Sequence, residues 1–411
     1  MLISNFAFSQ SIGKGISVKW DSLPTDNSVI NGAGGTEEVF LNADGDWTIY
    51  MSEGASSWLS VSPLSGHPGK TRVRITSSPN TSKANRTGTI TVFPAEVDNI
   101  LSITQRAQIF NRQKCGSGIV LNHILLDYSG TDFTRIYSLL PVPQSCQYQE
   151  ISGFVGSGSV EKCINNDNYY LANDLSVLSI PPTGGSIISS LFEVTYNSVT
   201  ADLSMIDDIP EPDISSKPYK EYLGDEKGGY IAPSNTDIKA IADALWGEAG
   251  GDMVDYARRC HLWTAKNMIY GNPYTGLHAV KELMRTKTGD CGNYCSVFIS
   301  LLRAKGIPSR HVVMISPNKS EKHIMAEFYV PGYGWIPADP TSESKNPFRD
   351  TTPIYFGRFV GKYVVLSFGI NSIAKGPNNE NVSVPLLQTC NYWYWNEKQG
   401  WFEFRHIFSN L

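Results

Sequence analysis

The chain has 411 residues, 41% of them apolar and 18% charged, with a formal net charge of −5. Two to four domains are expected at roughly 100–200 residues each; the composition excludes a disordered chain, and the acidic balance argues against a nucleic-acid partner. Seven cysteines are too few for a disulfide scaffold and odd in number, so at least one thiol is unpaired within the chain. No apolar run reaches the length of a membrane-spanning helix.

Residues 1–15 read as a tail. They lack a basic n-region, and Asn5 and Ser9 break the apolar run, so they are not a complete signal peptide. From 16 to 108 the pattern is short strands, at 38–41, 47–50, 59–61, 71–75, 88–92 and 100–103, rich in β-branched and aromatic residues. Gly, Pro, Asp and Ser punctuate them as turns. This spacing predicts an antiparallel sandwich with Trp47 and Trp58 in its core. Pro68-Gly69-Lys70-Thr71 resembles the end of a phosphate loop, but Leu64 stands where that loop needs glycine, so it reads as a turn.

Residues 109–218 predict a second β-sandwich, with strands at 119–121, 133–139, 148–151, 169–171, 175–180 and 192–196. It closes on 209–218, where three prolines disfavour helix and suggest a linker or extended strap. From 219 to 411 the chain turns to helices followed by strands. Asn235 is a candidate N-cap for a helix through Ile238, Ile241, Ala242 and Leu245. Helices follow at 253–269, 279–284 and 291–302, the last stopped by Gly306-Ile307-Pro308. Strands are expected at 310–315, 323–330 and 335–338. The aromatic runs 391–395 and 401–404 read as a hairpin that closes the core, with a sugar or peptide surface as the alternative.

The chemistry concentrates at Gly289-Asp290-Cys291-Gly292-Asn293. A glycine turn puts Cys291 at a helix N-terminus, where the macrodipole and free N–H groups favour a thiolate and can receive an oxyanion. A nucleophilic cysteine needs a base, and the base needs an orienting group. His323 opens a strand, and Asp339 follows after a turn at Pro331-Gly332-Tyr333-Gly334. A three-residue loop centred on Gly332 makes His323 and Asp339 diagonal neighbours on one sheet face, about 7–8 Å apart in backbone, which side chains can bridge. Asn267 or Tyr270 are candidates for an oxyanion or substrate contact, and Trp335 for wall packing or substrate stacking. Cys291 and Cys295 at helical spacing have no partner pair at zinc spacing, so no metal and no cofactor is expected.

Two resemblances follow from these residues. Trp47, Trp58-Leu59, Pro63, Gly66, Arg86-Thr87-Gly88-Thr89-Ile90, Ile103 and Gln105 resemble, in order and spacing, a BACON domain, an Ig-like module of exported Bacteroidetes proteins. It implies carbohydrate binding or a spacer role for 16–108, and an exported protein at the cell envelope or surface whose leader is not in this sequence. Gly-Asp-Cys, Gly-Ile-Pro-Ser-Arg, His-Ile-Met-Ala-Glu-Phe-Tyr and Pro-Gly-Tyr-Gly-Trp-Ile-Pro-Ala-Asp-Pro-Thr resemble, over about 230–345, a transglutaminase-like core of the papain-like superfamily. That resemblance implies an α+β papain-like domain after the two Ig-like sandwiches, with Cys291 as nucleophile, His323 as general base and acid, and Asp339 as orienter. Bacterial members usually carry Ala-Trp after the histidine; Ile324-Met325 stands here and bears on pocket shape. The implied reaction is acyl transfer on a peptide or protein substrate. Hydrolysis by a cysteine peptidase or amidase is the first reading, transfer to an amine by a protein-glutamine transglutaminase the second. A non-catalytic surface binding module is the third.

Overall fold

The computed structural model describes residues 18–21, 28–30, 32, 34–82, 84–94, 100–206, 209–271, 276–317, 321–350 and 352–411, so the tail read at 1–15 lies outside it. Two compact units follow one another, 1–109 and 110–411.

In the first unit, Gly35–Ala43, Gly69–Ser77 and Leu59–Ser62 join Val18–Asp21 in one sheet. Trp47–Met51, Arg86–Phe93 and Ile100–Gln105 belong to a second. Period-two alternation aims one face of each sheet inward. Val39, Leu41, Val73 and Ile75 thereby meet Trp47, Ile49, Ile90, Val92 and Ile103 in one core. Trp47 and Trp58 are 2% and 7% exposed, so neither ring is a surface platform. Gly66 lies against Trp47, where a Cβ would fall 2.4 Å from the indole ring.

In the second unit, Phe110–Ser129 and Gly185–Ala201 run antiparallel along most of their length. They are flanked by Gln149–Gly156 on one side and Trp401–Asn410 on the other. The facing sheet orders Ser159–Lys162, Tyr169–Ser176, Phe133–Val142 and Asn391–Asn396. Ile124, Leu126, Ile187 and Ile188 pack on Phe133, Ile136, Leu140 and Leu171 between them. The strand expected at 175–180 stops at Ser176; Val177–Ser179 is a 3-10 turn with Leu178 exposed.

The two C-terminal aromatic strands do not pair with each other, as a hairpin would. Each extends a different sheet, Asn391–Asn396 along Phe133–Val142 and Trp401–Asn410 along Phe110–Ser129. The turn between them grips the turn at 130–132: Asp132 N donates to Lys398 O and Glu397 N to Asp132 O. Tyr394, Phe402 and Phe404 then surround Phe133 edge-on between the sheets. The rest of the unit lies between these strands and their partners in sequence, so 110–411 forms one compact body across the boundary read at 218. Residues 209–213 have no helix or strand, the chain turns at Asp213 with Ser216 N donating to Asp213 O, and Pro218 sits in the first turn of the helix Lys217–Glu221, where its missing N–H costs nothing.

The helical part follows the sequence closely. Asn235 caps Thr236–Glu248, its side chain accepting from Asp237 N and Ile238 N. Met253–Asn267, Val280–Thr286 and Cys291–Arg303 follow. Gly306, at φ 73°, ends the last of these, with Ile307 N donating to Leu302 O. A four-stranded antiparallel sheet completes the fold in the order Gly334–Ala338, Lys322–Val330, Ser309–Ile315, Val364–Phe368. Its Ile315, Val364 and Leu366 pack on Val120, Phe192, Val194 and Phe408 of the long sheet. The molecule is thus a multidomain β protein with an α/β region.

Candidate active site

The helix Cys291–Arg303 lies against this sheet and is buried along nearly its whole length. Asp290 caps it, its carboxylate accepting from Asn293 N at 3.2 Å and Asn293 Nδ2 at 2.7 Å. Asn293 is fully buried and its Oδ1 accepts from His278 N, pinning the preceding loop to the helix. A Cβ on Gly292 would press on Leu277 and Ile324 at 3.0 and 3.2 Å, which explains a small residue next to Cys291. Cys291 is half-buried at the first position of the helix.

His311 holds this end of the helix from the sheet. Its Nε2 lies 3.1 Å from Gly292 O and 3.3 Å from Ser296 Oγ. A carbonyl only accepts, so Nε2 carries the proton. Burial pushes this imidazole down to about 3, and it is neutral at physiological pH.

Three residues, 331–333, connect Val330 to its partner Gly334, with Gly332 at φ 76°. Continuing the register Ala326↔Ala338 by one pair sets Asp339 diagonal to His323. Their side chains close the gap: His323 Nε2 lies 2.7 Å from Asp339 Oδ2. Asp339 is fixed in turn. It caps the helix Pro340–Ser344, accepts from Ser342 N at 2.9 Å and Ser342 Oγ at 2.6 Å, and donates its own N–H to Tyr355 O. Burial opposes its ionisation, but His323 and Ser342 outweigh this and hold the carboxyl below the usual range.

Cys291 lies near enough to His323 to raise its imidazole, after Asp339. With Nε2 committed to Asp339, Nδ1 is the ring nitrogen left for the sulfur. Burial works against charge on His323, yet Asp339 and then Cys291 push the imidazole up to about 10. The ring is therefore an imidazolium at neutral pH.

The other sequence candidates separate. Tyr270 pairs in parallel with Gly289, is 53% exposed, and burial followed by the charge of Cys291 raises its phenol, so it borders the thiol. The Lys345 ammonium sits 4.7 Å from its ring centroid. Asn267 instead donates from Nδ2 to Trp263 O of its own helix. Trp335 pairs with Tyr329 at the turn end of the hairpin, and four extended residues, about 13 Å, part it from Asp339. It packs under Arg310, 4.0 Å from the ring centroid, and against Tyr222. That arginine meets the fully buried Glu327, which also accepts from Tyr148 Oη at 2.7 Å. Ile324 and Met325, the departure noted in sequence, are both buried.

Sequence reading missed Tyr363, which is 4% exposed and stacks on His323 at 5.3 Å with 29° between the rings. It sits just before a strand, with no motif around it. Asn293 and His311 were also passed over; only the nearness of Asn293 to Cys291 signalled it. A cavity of about 370 Å³ lies elsewhere, around Glu226, Arg303 and Lys220. It is at the far end of the Cys291 helix, about 20 Å away at 1.5 Å per residue, and Arg303 already engages Glu226. Among the described residues no cluster of three potential metal ligands occurs, and no helix is long and apolar enough to cross a membrane.

Residues 239–340 match the model of the transglutaminase-like superfamily, and residues 16–108 that of a viral BACON domain. An uncharacterised protein of Haemophilus influenzae is 29% identical over 26% of this chain, which spans only 37% of that protein's length. A candidate cysteine protease of Cytophaga hutchinsonii is similar in structure, with TM-score 0.49 and 14% identity over 74% of this chain and 93% of its own. The periplasmic domain of TgpA from Pseudomonas aeruginosa is similar at TM-score 0.30 and 14% identity, over 57% and 91%.

Proposed function

We propose, from the premise that residues 239–340 are a transglutaminase-like core, that this protein cleaves peptide or amide bonds by thiol-dependent acyl transfer. The observation that carries the reading is the 2.7 Å contact of His323 Nε2 with Asp339 Oδ2 beside Cys291 at a helix N-terminus. Sγ of Cys291 attacks the carbonyl carbon, and the N–H groups of the first helical turn stabilise the oxyanion. Nδ1 of His323 gives its proton to the amine nitrogen as the C–N bond breaks, leaving a thioester. Water then attacks that carbon, Nδ1 takes its proton, and the C–S bond breaks to release the acid. Asp339 keeps the imidazole in one orientation and balances its charge throughout. Tyr270, with the Lys345 ammonium over its ring, lies on the exposed side and would meet the substrate. An extracytoplasmic setting rests on the BACON module alone, as does glycan binding by the first unit.

Mass-mapped iodoacetamide labelling at pH 6–7 tests the reading. Burial pushes Cys146 up to about 12, Cys163 to about 11 and Cys390 to about 12, and raises Cys260 and Cys295 also. Cys115 is exposed and serves as the internal reference. Cys291 is expected to label far faster than Cys115, and His323→Ala to remove the advantage. Equal labelling, or indifference to His323, overturns the triad. Cys291→Ala is expected to lower peptide hydrolysis by about 10⁴-fold or more.

A further inference from the structure

We infer that Tyr363 is a positioning residue of this site: its ring is the wall that sets the imidazole plane of His323 between Asp339 and Cys291, and its electron-rich face backs the imidazolium. The inference rests on the Cys–His–Asp reading above. Tyr363 immediately precedes the strand Val364–Phe368, which is separated from the His323 strand by Ser309–Ile315. The phenol therefore reaches across a whole strand to lie on the imidazole. A centroid distance of 5.3 Å and a tilt of 29° put the rings face to face, within the roughly 6 Å over which a cation is drawn to an aromatic face.

Three groups then define the ring. Asp339 holds Nε2, Cys291 lies beside the ring, and Tyr363 covers a flat side. A hydrogen bond at one nitrogen leaves the imidazole free to swing about the line of that bond; a stacked wall does not. The wall is itself rigid, because Tyr363 is 4% exposed. Among charged groups, Asp339 and Cys291 face the imidazole, Glu321 faces Tyr363, and the Lys362 ammonium lies 5.0 Å from the Tyr363 ring centroid. Burial, followed by the charges of Glu321, Asp339 and Cys291, raises the phenol, so it stays neutral while His323 titrates.

Iodoacetate provides the test, because this anion is drawn to Cys291 by the imidazolium. The upper midpoint of its rate against pH reports loss of the His323 proton. Tyr363→Leu is expected to lower that midpoint by about 0.5–1.5 pH units, the shift equivalent to a cation–π contact. Tyr363→Phe keeps the ring face and is expected to retain the wild-type midpoint. A fast Cys291 with the same upper midpoint in Tyr363→Leu overturns the inference and leaves the triad standing. A Cys291 no faster than Cys115 in the unsubstituted chain overturns the triad itself. One measurement needs no substitution at 363. The His323 ring-proton resonances, assigned by their loss in His323→Ala, are expected upfield of free imidazole in the shielding cone of the phenol. Resonances at free-imidazole positions overturn the stack.

Discussion

The two units bury different things. In the first, the core is apolar, and the ion pairs of Glu38 with Arg72 and Arg74 and of Asp46 with His67 lie in solvent, with every side chain at least 43% exposed. In the second, such pairs go inside: His261 with Glu343 at 0% exposure each, Arg310 with Glu327 at 17% and 1%, and Asp339 with His323 at 10% and 14%. A buried ion pair contributes little net stability over an apolar replacement, because desolvation offsets the attraction. Its gain is geometric. Glu343 accepts from His261, Asn346 and Tyr355 N, and Tyr355 O in turn accepts from Asp339 N. The buried pairs of the second unit thus sit where side chains must be held in place, whereas the ion pairs described in the first unit lie in solvent.

Breaking one partner of a buried pair exposes the contrast most sharply. Arg310→Ala leaves Glu327 as an uncompensated buried carboxylate, and a loss of about 3–5 kcal/mol in urea unfolding of the second unit is expected. Acid sharpens it next. His311 has a folded value of about 3 against 6.5 unfolded. Above pH 6.5 both states leave it neutral; below, only the unfolded chain takes the proton, so stability is lost as pH falls towards 3. His311→Asn is expected to flatten that slope in a thermal-melt series. His323 has the opposite sign. Its stabilisation is complete below pH 6.5 and is lost as pH rises through about 10. In the first unit the sensitive element is apolar packing. Gly66→Ala drives a methyl into Trp47 and is expected to cost about 1–3 kcal/mol, read as a lower melting temperature. Glu38→Ala, at an exposed pair, is expected to cost only about 0.2–1 kcal/mol and to lose even that at high salt.

Local chemistry was legible in the sequence; long-range pairing was not. Asn235 as a cap, Gly306 as a stop and the loop centred on Gly332 each act within a few residues, and each is present as expected. The diagonal of His323 and Asp339 followed from the turn alone. The partners of the aromatic strands did not, because nothing local tells a strand that its neighbour lies more than two hundred residues back. Tyr363 was invisible for the same reason: it meets His323 only through a strand order that the sequence does not display. Asn267 was a candidate for an oxyanion or substrate contact, whereas its amide donates to Trp263 O of its own helix.

The grip between the turns at 130–132 and 396–401 has a consequence for synthesis. A nascent chain that has emerged as far as Asp339 already holds Cys291, His323 and Asp339. It still lacks Val364–Phe368, Asn391–Asn396 and Trp401–Asn410, an edge strand for each of the unit's three larger sheets. Pairing across so long a separation is slow. The thiol is therefore translated well before its surroundings are complete, and a ribosome-bound chain has the residues of the site without its frame.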